Sequence, residues 1–218
     1  GRLPVALLQG NIPQDEKFQP GSGVPLALRW YGQALMDNRA PLVVAPETAL
    51  PLLPRQLPEG YWLAVSDRYA RGEQAAIIGL PVGLIGIEIG GADLADLMGD
   101  GLAPGQAPWR YDKHHLVPFG EFIPWGFKWF TAMMNIPLGD FRQGDLGQPS
   151  FEWRGQRLAA NICYEDLFGE ELGARFADMA QAPTVFVNLS NIAWFGDTVA
   201  IAQHLHISRM RALEFERP

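Results

Sequence analysis

Cysteine is nearly absent: Cys163 is the only one in 218 residues, which excludes an internal disulfide. No block of lysine or arginine occurs. The formal net charge of −7 excludes a chain built to grip a phosphate backbone, so no nucleic-acid partner is expected. No unbroken apolar run reaches the ~20 residues of a membrane-crossing helix. The nearest, residues 75–91, carries Glu88 and is interrupted by Pro81 and several glycines. The start, Gly1-Arg2-Leu3-Pro4, runs straight into a strand-like segment and lacks the pattern of a secretory leader. Metal-ligand spacing is missing as well. His114 and His115 are adjacent and would face opposite ways in a strand, and His204 and His206 sit two apart on a helix. There is no internal repeat. As it stands, the chain is expected to be soluble or peripheral, with no metal and no cofactor.

What is present suits one sizeable domain, residues 1–218. Hydrophobic residues make up 48% and charged residues 19%, ample material for a core. Residues 4–9, 42–45 and 157–162 read as buried strands, 75–80 and 184–188 as strands, and 111–116 as strand-like. Residues 151–162 read as a hairpin turning at Arg154-Gly155. Helical periodicity appears over 26–38, 61–71, 170–179 and 199–215. Strands alternating with helices predict an α/β fold with largely covered sheets. Residues 81–108 are rich in Gly, Ala and Asp and give no assignable element. Residues 122–138 hold Phe122, Trp125, Phe127, Trp129, Phe130, Met133 and Met134 with only Lys128 charged. They suit a core helix or an exposed apolar surface for lipid equally well.

Three residues at strand ends make a coherent catalytic set. Cys163 stands where the strand ending at Ile162 gives way to Tyr164-Glu165-Asp166, an elbow that holds a thiol rigidly within reach. Glu47 follows a buried strand and Pro46, a setting that desolvates a carboxylate and fits it for use as a base. Lys113 supplies an ammonium for a developing oxyanion. Each alone reads more readily as structure: Cys163 as core filler, Glu47 as a cap, Lys113 as a surface charge. A Cys–His enzyme or a zinc site is an alternative on the residues alone.

Pro46-Glu47, Tyr111-Asp112-Lys113-His114-His115-Leu116 and Cys163-Tyr164-Glu165 resemble, in order, the three motifs of the nitrilase (carbon–nitrogen hydrolase) superfamily. Longer stretches narrow the likeness. Gln9-Gly10-Asn11-Ile12-Pro13-Gln14, His115 through Pro124, Ser190-Asn191-Ile192-Ala193-Trp194-Phe195-Gly196 and Gln203 through Pro218 resemble the apolipoprotein N-acyltransferase family. The resemblance implies a four-layer α-β-β-α sandwich, incomplete at the C-terminus because family members continue with further strands. It implies an acyltransferase in which Cys163 takes an acyl chain from a phospholipid as a thioester and passes it to the N-terminal amine of a diacylglyceryl apolipoprotein. Glu47 would be the base and Lys113 the oxyanion partner, with Glu121 and Glu165 in support. Tyr164, Trp194, Trp125, Phe127 and Trp129 would line the substrate. The family context is a membrane surface, the periplasmic face of the bacterial inner membrane. Two rivals stand beside this reading: a nitrilase-type amidase acting on small amides, and a catalytically silent fragment.

Overall fold

Leu42, Val43, Val44 and Ala45 form a strand with every residue buried, and they set the plan of the molecule. Alternate side chains of a strand point to opposite faces, so a strand buried throughout needs a layer on each side. In the computed structural model, which describes residues 2–82, 96–106, 109–116 and 143–218, both layers are present. Val43 and Ala45 face two helices, whereas Leu42 and Val44 face a second sheet.

The first sheet runs β1 (Val5–Leu7), β2 (Leu42–Ala45), β3 (Ala75–Val82), β4 (Asp96–Leu102) and β5 (Trp109–Asp112) in spatial order. β1, β2 and β3 are mutually parallel, and β4 and β5 pair antiparallel. Its outer face is covered by α1 (Gly23–Asp37) and α2 (Tyr61–Arg71). Ala27, Leu28, Tyr31 and Leu35 recur at helical spacing and form the apolar stripe of α1. Two phenols fasten α2 to α1, with Tyr61 donating to the Leu28 carbonyl and Tyr69 to the Leu35 carbonyl, each at 2.7 Å.

The second sheet contains β6 (Phe151–Trp153), β7 (Gln156–Ile162) and β8 (Val185–Leu189). Arg154 and Gly155 both take positive φ, 46° and 74°, the two-residue turn whose twist matches a hairpin. β7 and β8 are parallel, and the connection over residues 163–184, which holds α3 (Gly169–Gly173), is long enough for the crossover such a pair needs. Leu158, Ala160 and Ile162 of β7 meet Leu42, Val44, Ala75 and Ile77 of the first sheet. Each of these Leu, Ile and Val side chains contributes roughly 1.5–3 kcal/mol by leaving water. On the far face lies α4 (Val199–Glu214), where Phe176 stacks on Phe215 and Phe186 meets both rings at an angle. The four-layer α-β-β-α arrangement expected above is therefore the observed one.

Four sequence readings need correction. Strand β1 is an edge and not a buried strand, with Leu7 76% exposed. Residues 81–108 do hold a strand, β4, whose Gly- and Asp-containing sequence has no alternation and which pairing with β3 and β5 specifies. Strand β5 stops at Asp112, so His114 and His115 lie in a bend instead of an extended run. The helix expected over 170–179 is only α3 followed by a 3-10 turn, Ala174–Phe176. Gly173 costs helix about 1 kcal/mol where it would have to continue. At the edge of the second sheet, the Phe186 N–H of β8 donates to the Pro218 carbonyl at 2.8 Å. Among the described residues, no helix is long and apolar enough to cross a membrane.

Candidate active site

Glu47 owes its place to a turn at the carboxyl end of β2. Pro46 ends the strand, Thr48 takes φ 49°, and Ala49 N–H closes the turn on the Pro46 carbonyl at 3.1 Å. The turn lies directly on Gly79 of β3, where a Cβ would fall 2.2 Å from the Pro46 carbonyl oxygen and 2.7 Å from the Glu47 Cα. Only glycine fits. A Gly79→Val replacement is expected to cost about 1–3 kcal/mol and to push Glu47 out of register. Urea denaturation checks the first effect and the reactivity of Cys163 the second.

The Glu47 side chain is buried, and each carboxylate oxygen has a partner. Oε1 lies 3.5 Å from Lys113 Nζ, and Oε2 accepts from the Asn191 N–H at 3.1 Å. Lys113 comes immediately after β5 and is wholly buried, so the surface-charge reading fails. A buried ammonium is costly unless paired, and the Glu47 carboxylate meets that requirement. The turn carrying Lys113 is closed by Gly144, whose N–H donates to the Lys113 carbonyl at 2.9 Å.

Cys163 begins a 3-10 helix, Cys163–Leu167, at the end of β7. Its φ is 56°, uncommon for a residue with a side chain and costing of order 1–3 kcal/mol. Strain of this kind turns the chain sharply and leaves the thiol at the elbow, half-buried. Two side chains hold the Cys163 carbonyl: Asn188 Nδ2 donates at 2.8 Å, and His204 Nε2 lies at 2.9 Å. The next residue, Tyr164, places its ring 5.5 Å from Lys113 Nζ and donates its hydroxyl to the Leu116 carbonyl at 2.8 Å.

Glu165 binds these pieces into one unit. It is 3% exposed and accepts from the Ile162 N–H (2.5 Å), the His114 N–H (2.6 Å), the His115 N–H (3.0 Å) and the Tyr111 hydroxyl (2.9 Å). One carboxylate thus ties the residue before Cys163 to the two after Lys113. Burial pushes its proton affinity up, against the pull of those donors. Burial raises Tyr111 too, with the Glu165 charge adding to it, so that the phenol keeps its proton and donates. Behind it, Asp166 is met by Ser208, His204 and Arg211 of α4, which fixes the elbow against the outer helix layer.

The structure pairs Glu47 with Lys113, sets the Tyr164 ring beside Lys113 and ties Glu165 both to the residues after Lys113 and to the residue before Cys163. Trp194 lies in a 3-10 turn, Ile192–Phe195, just after the Asn191 that holds Glu47. Glu121, Trp125, Phe127 and Trp129 fall outside the described residues. The histidines serve as structure: His114 Nδ1 meets the Gly144 carbonyl at 2.7 Å, and His115 stacks on Phe168. Sequence reasoning missed Asn188, Asn191, Gly79 and Lys17. Asn191 lay inside a quoted motif, whereas Lys17 sat in an unremarkable polar loop. Among the described residues, no group of three or more His, Cys, Asp or Glu is arranged to hold a metal ion.

The chain is similar to known proteins along nearly its whole length. The chain is 68% identical over 216 residues to an apolipoprotein N-acyltransferase from Verminephrobacter eiseniae, and 48% identical over 223 residues to one from Ralstonia nicotianae. Each match takes in 99% of this chain and 40% of the relative, so the chain spans well under half the length of these proteins. Among solved structures, a CN-hydrolase superfamily protein from Xanthomonas campestris superposes with a TM-score of 0.62 at 18% identity, covering 96% of this chain and 71% of that one. An amidase of the nitrilase superfamily from Nesterenkonia gives 0.60 at 18% identity, covering 97% and 72%. These two likenesses concern fold alone. The family model described as carbon-nitrogen hydrolase matches residues 4–218. From the strand ends upward, and over all but its first three residues, this chain belongs to the carbon–nitrogen hydrolase family.

Proposed function

We propose that this chain is the acyl-transferring domain of an apolipoprotein N-acyltransferase. The observation that carries the reading is the buried Glu47–Lys113 pair, 3.5 Å apart, on a scaffold where Glu165 joins the Lys113 turn to the Cys163 elbow. The close identity with two N-acyltransferases supports the choice of acceptor chemistry over hydrolysis.

In the proposed reaction, Glu47 takes the proton of the Cys163 thiol and the thiolate attacks the ester carbonyl of a phospholipid. The carbonyl oxygen becomes an oxyanion next to Lys113, whose charge is worth most in a buried site. The C–O bond then breaks, Glu47 returns the proton to the departing lysophospholipid hydroxyl, and an acyl thioester remains on Cys163. The N-terminal amine of a diacylglyceryl apolipoprotein attacks that thioester, and its proton passes to Glu47. The C–S bond breaks, and the thiolate leaves as the amide forms. No nucleotide or metal enters, because the thioester conserves the energy of the original ester. Glu165 holds the two turns in register, and Glu121 supports Lys113. Tyr164, Trp194, Trp125, Phe127 and Trp129 cover the acyl chain and keep water off the thioester. The setting is the periplasmic face of the bacterial inner membrane, with the remaining length of the full protein supplying the membrane part.

The test is transfer itself. The chain is incubated with phosphatidylethanolamine vesicles and a synthetic diacylglyceryl-cysteine peptide. An acyl-sized mass increment on the protein and N-acylated peptide are expected. Turnover of small amides without either product would instead select the amidase, and inertness toward both would sink any catalytic reading.

A further inference from the structure

Lys17, 6% exposed, is with Lys113 one of two buried lysines among the described residues, and both point at the same residue. Its Nζ donates to the Glu47 backbone carbonyl at 3.3 Å, while Lys113 Nζ stands 3.5 Å from the Glu47 carboxylate. Gln14, from the same turn as Lys17, accepts from Asn191 Nδ2 at 2.9 Å, and the Asn191 N–H in turn holds the other oxygen of Glu47. The segment over residues 14–17 therefore grips the Glu47 turn twice, once by its backbone and once through its carboxylate. Burying an ammonium is costly, and here it is placed beside a turn already strained at Thr48. A solvent-facing lysine or an apolar residue would serve stability better.

We propose that Lys17 is a positioning residue for Glu47. It clamps the turn that carries the carboxylate, and it adds a second positive charge to the Glu47–Lys113 pair, which keeps Glu47 ionised and the neighbouring thiol ready to lose its proton. The proposal rests on the base role of Glu47 given above, but not on the identity of the acyl donor. Among the described residues, Glu47 and Lys113 balance each other and Lys17 adds one positive charge beside them. The charge that acts on Lys17 is that of Glu47, and Glu165, Asp166, His114, His115 and His204 are each tied to other partners. Burial brings Lys17 down to about 8, with the Glu47 charge opposing the shift. Its folded-state value thus lies below the ordinary 10.5, so its charged burial disfavours the fold below pH 8, and that penalty fades as pH rises toward 10.5.

Cys163 is the only thiol, so its alkylation by iodoacetamide from pH 5 to 9 reports this site alone. Removing a neighbouring cation raises the proton affinity of both the carboxylate and the thiol. The acidic limb of the alkylation profile is therefore expected to move up by about one pH unit in Lys17→Met, close to tenfold in rate on the limb. Lys17→Arg should keep the parent limb. Lys17→Gln, which preserves a donor to the Glu47 carbonyl but no charge, should move with Lys17→Met. The Tm of Lys17→Met at pH 7 should equal or exceed the parent value, since the buried charge is removed. A Lys17→Met chain with a lowered Tm and an unmoved limb would reduce Lys17 to a structural residue and overturn the proposal, as would an unmoved limb in Lys17→Gln. A moved limb without acyl adduct from phospholipid keeps this inference and removes the acyltransferase reading. An adduct with an unmoved limb does the reverse.

Discussion

Cys163→Ala should abolish both the acyl adduct and the acylated peptide, with a loss in transfer rate on the order of 10⁴-fold or more, while the chain stays folded. Removing a nucleophile takes the whole covalent route with it, and the remaining groups cannot substitute for one another. Stability should change little, since the side chain is small and half-buried. Alanine keeps the Cβ that makes the positive φ of 56° costly, so that strain is unchanged. Cys163→Ser tests the thiol more finely. A hydroxyl at this elbow has the same geometry but a far higher proton affinity, so Glu47 would deprotonate it poorly and the Ser variant should fall almost as far. Intact-mass spectrometry after exposure to phospholipid reads the adduct, and peptide acylation reads turnover. An acyl increment that survives in Cys163→Ala would place the nucleophile elsewhere and end the mechanism.

Glu165→Leu should be the most damaging single change to the fold. The Glu165 carboxylate satisfies three backbone N–H groups and one phenol, all in or beside the core. Leucine fills similar space but leaves all four donors without an acceptor. Each buried donor so stranded costs about 1–3 kcal/mol, so the sum reaches roughly the whole 5–15 kcal/mol stability of an ordinary domain. Expression as an unfolded or aggregating chain is the expected result. Glu165→Gln is the milder partner. Its carbonyl keeps one pair of donors, and its amide meets the other pair, where Tyr111 can turn to accept but the Ile162 N–H cannot. A loss of about 1–3 kcal/mol is expected by urea titration. The pH sign follows from burial. Because the Glu165 carboxyl is pushed up in the folded state, its contribution is fully present below the ordinary carboxylate value and is lost as pH rises through its folded value. Glu165→Gln should flatten that dependence. A Glu165→Leu chain as stable as the parent would show that the four donors find other partners.

Much of this architecture is written in one dimension. Leu42–Ala45 and 157–162 are too apolar to face water on either side, and they became interior strands of the two sheets. Arg154-Gly155 dictated its hairpin because glycine accepts positive φ freely. Pro46, Asp112 and Ile162 end or follow strands within recognisable motifs, which is why Glu47, Lys113 and Cys163 could be singled out before any coordinates. β4 could not, because Asp96–Leu102 has no alternation of its own and exists by pairing with β3. β1 looked buried by hydropathy but lies at an edge, since strand order is not encoded in a strand's own residues.

The chemistry divides in the same way. Residue type and local order determined which groups could act: a thiol, a carboxylate and an ammonium, each at the end of an apolar run. Tertiary structure alone decided that Lys113 is fully buried against Glu47, that Glu165 fastens the two turns, and that Lys17, thirty residues from Glu47, reaches its carbonyl. Local sequence governs backbone conformation over a few residues. The pairing of charges taken out of water depends on which distant turns the packed layers bring together.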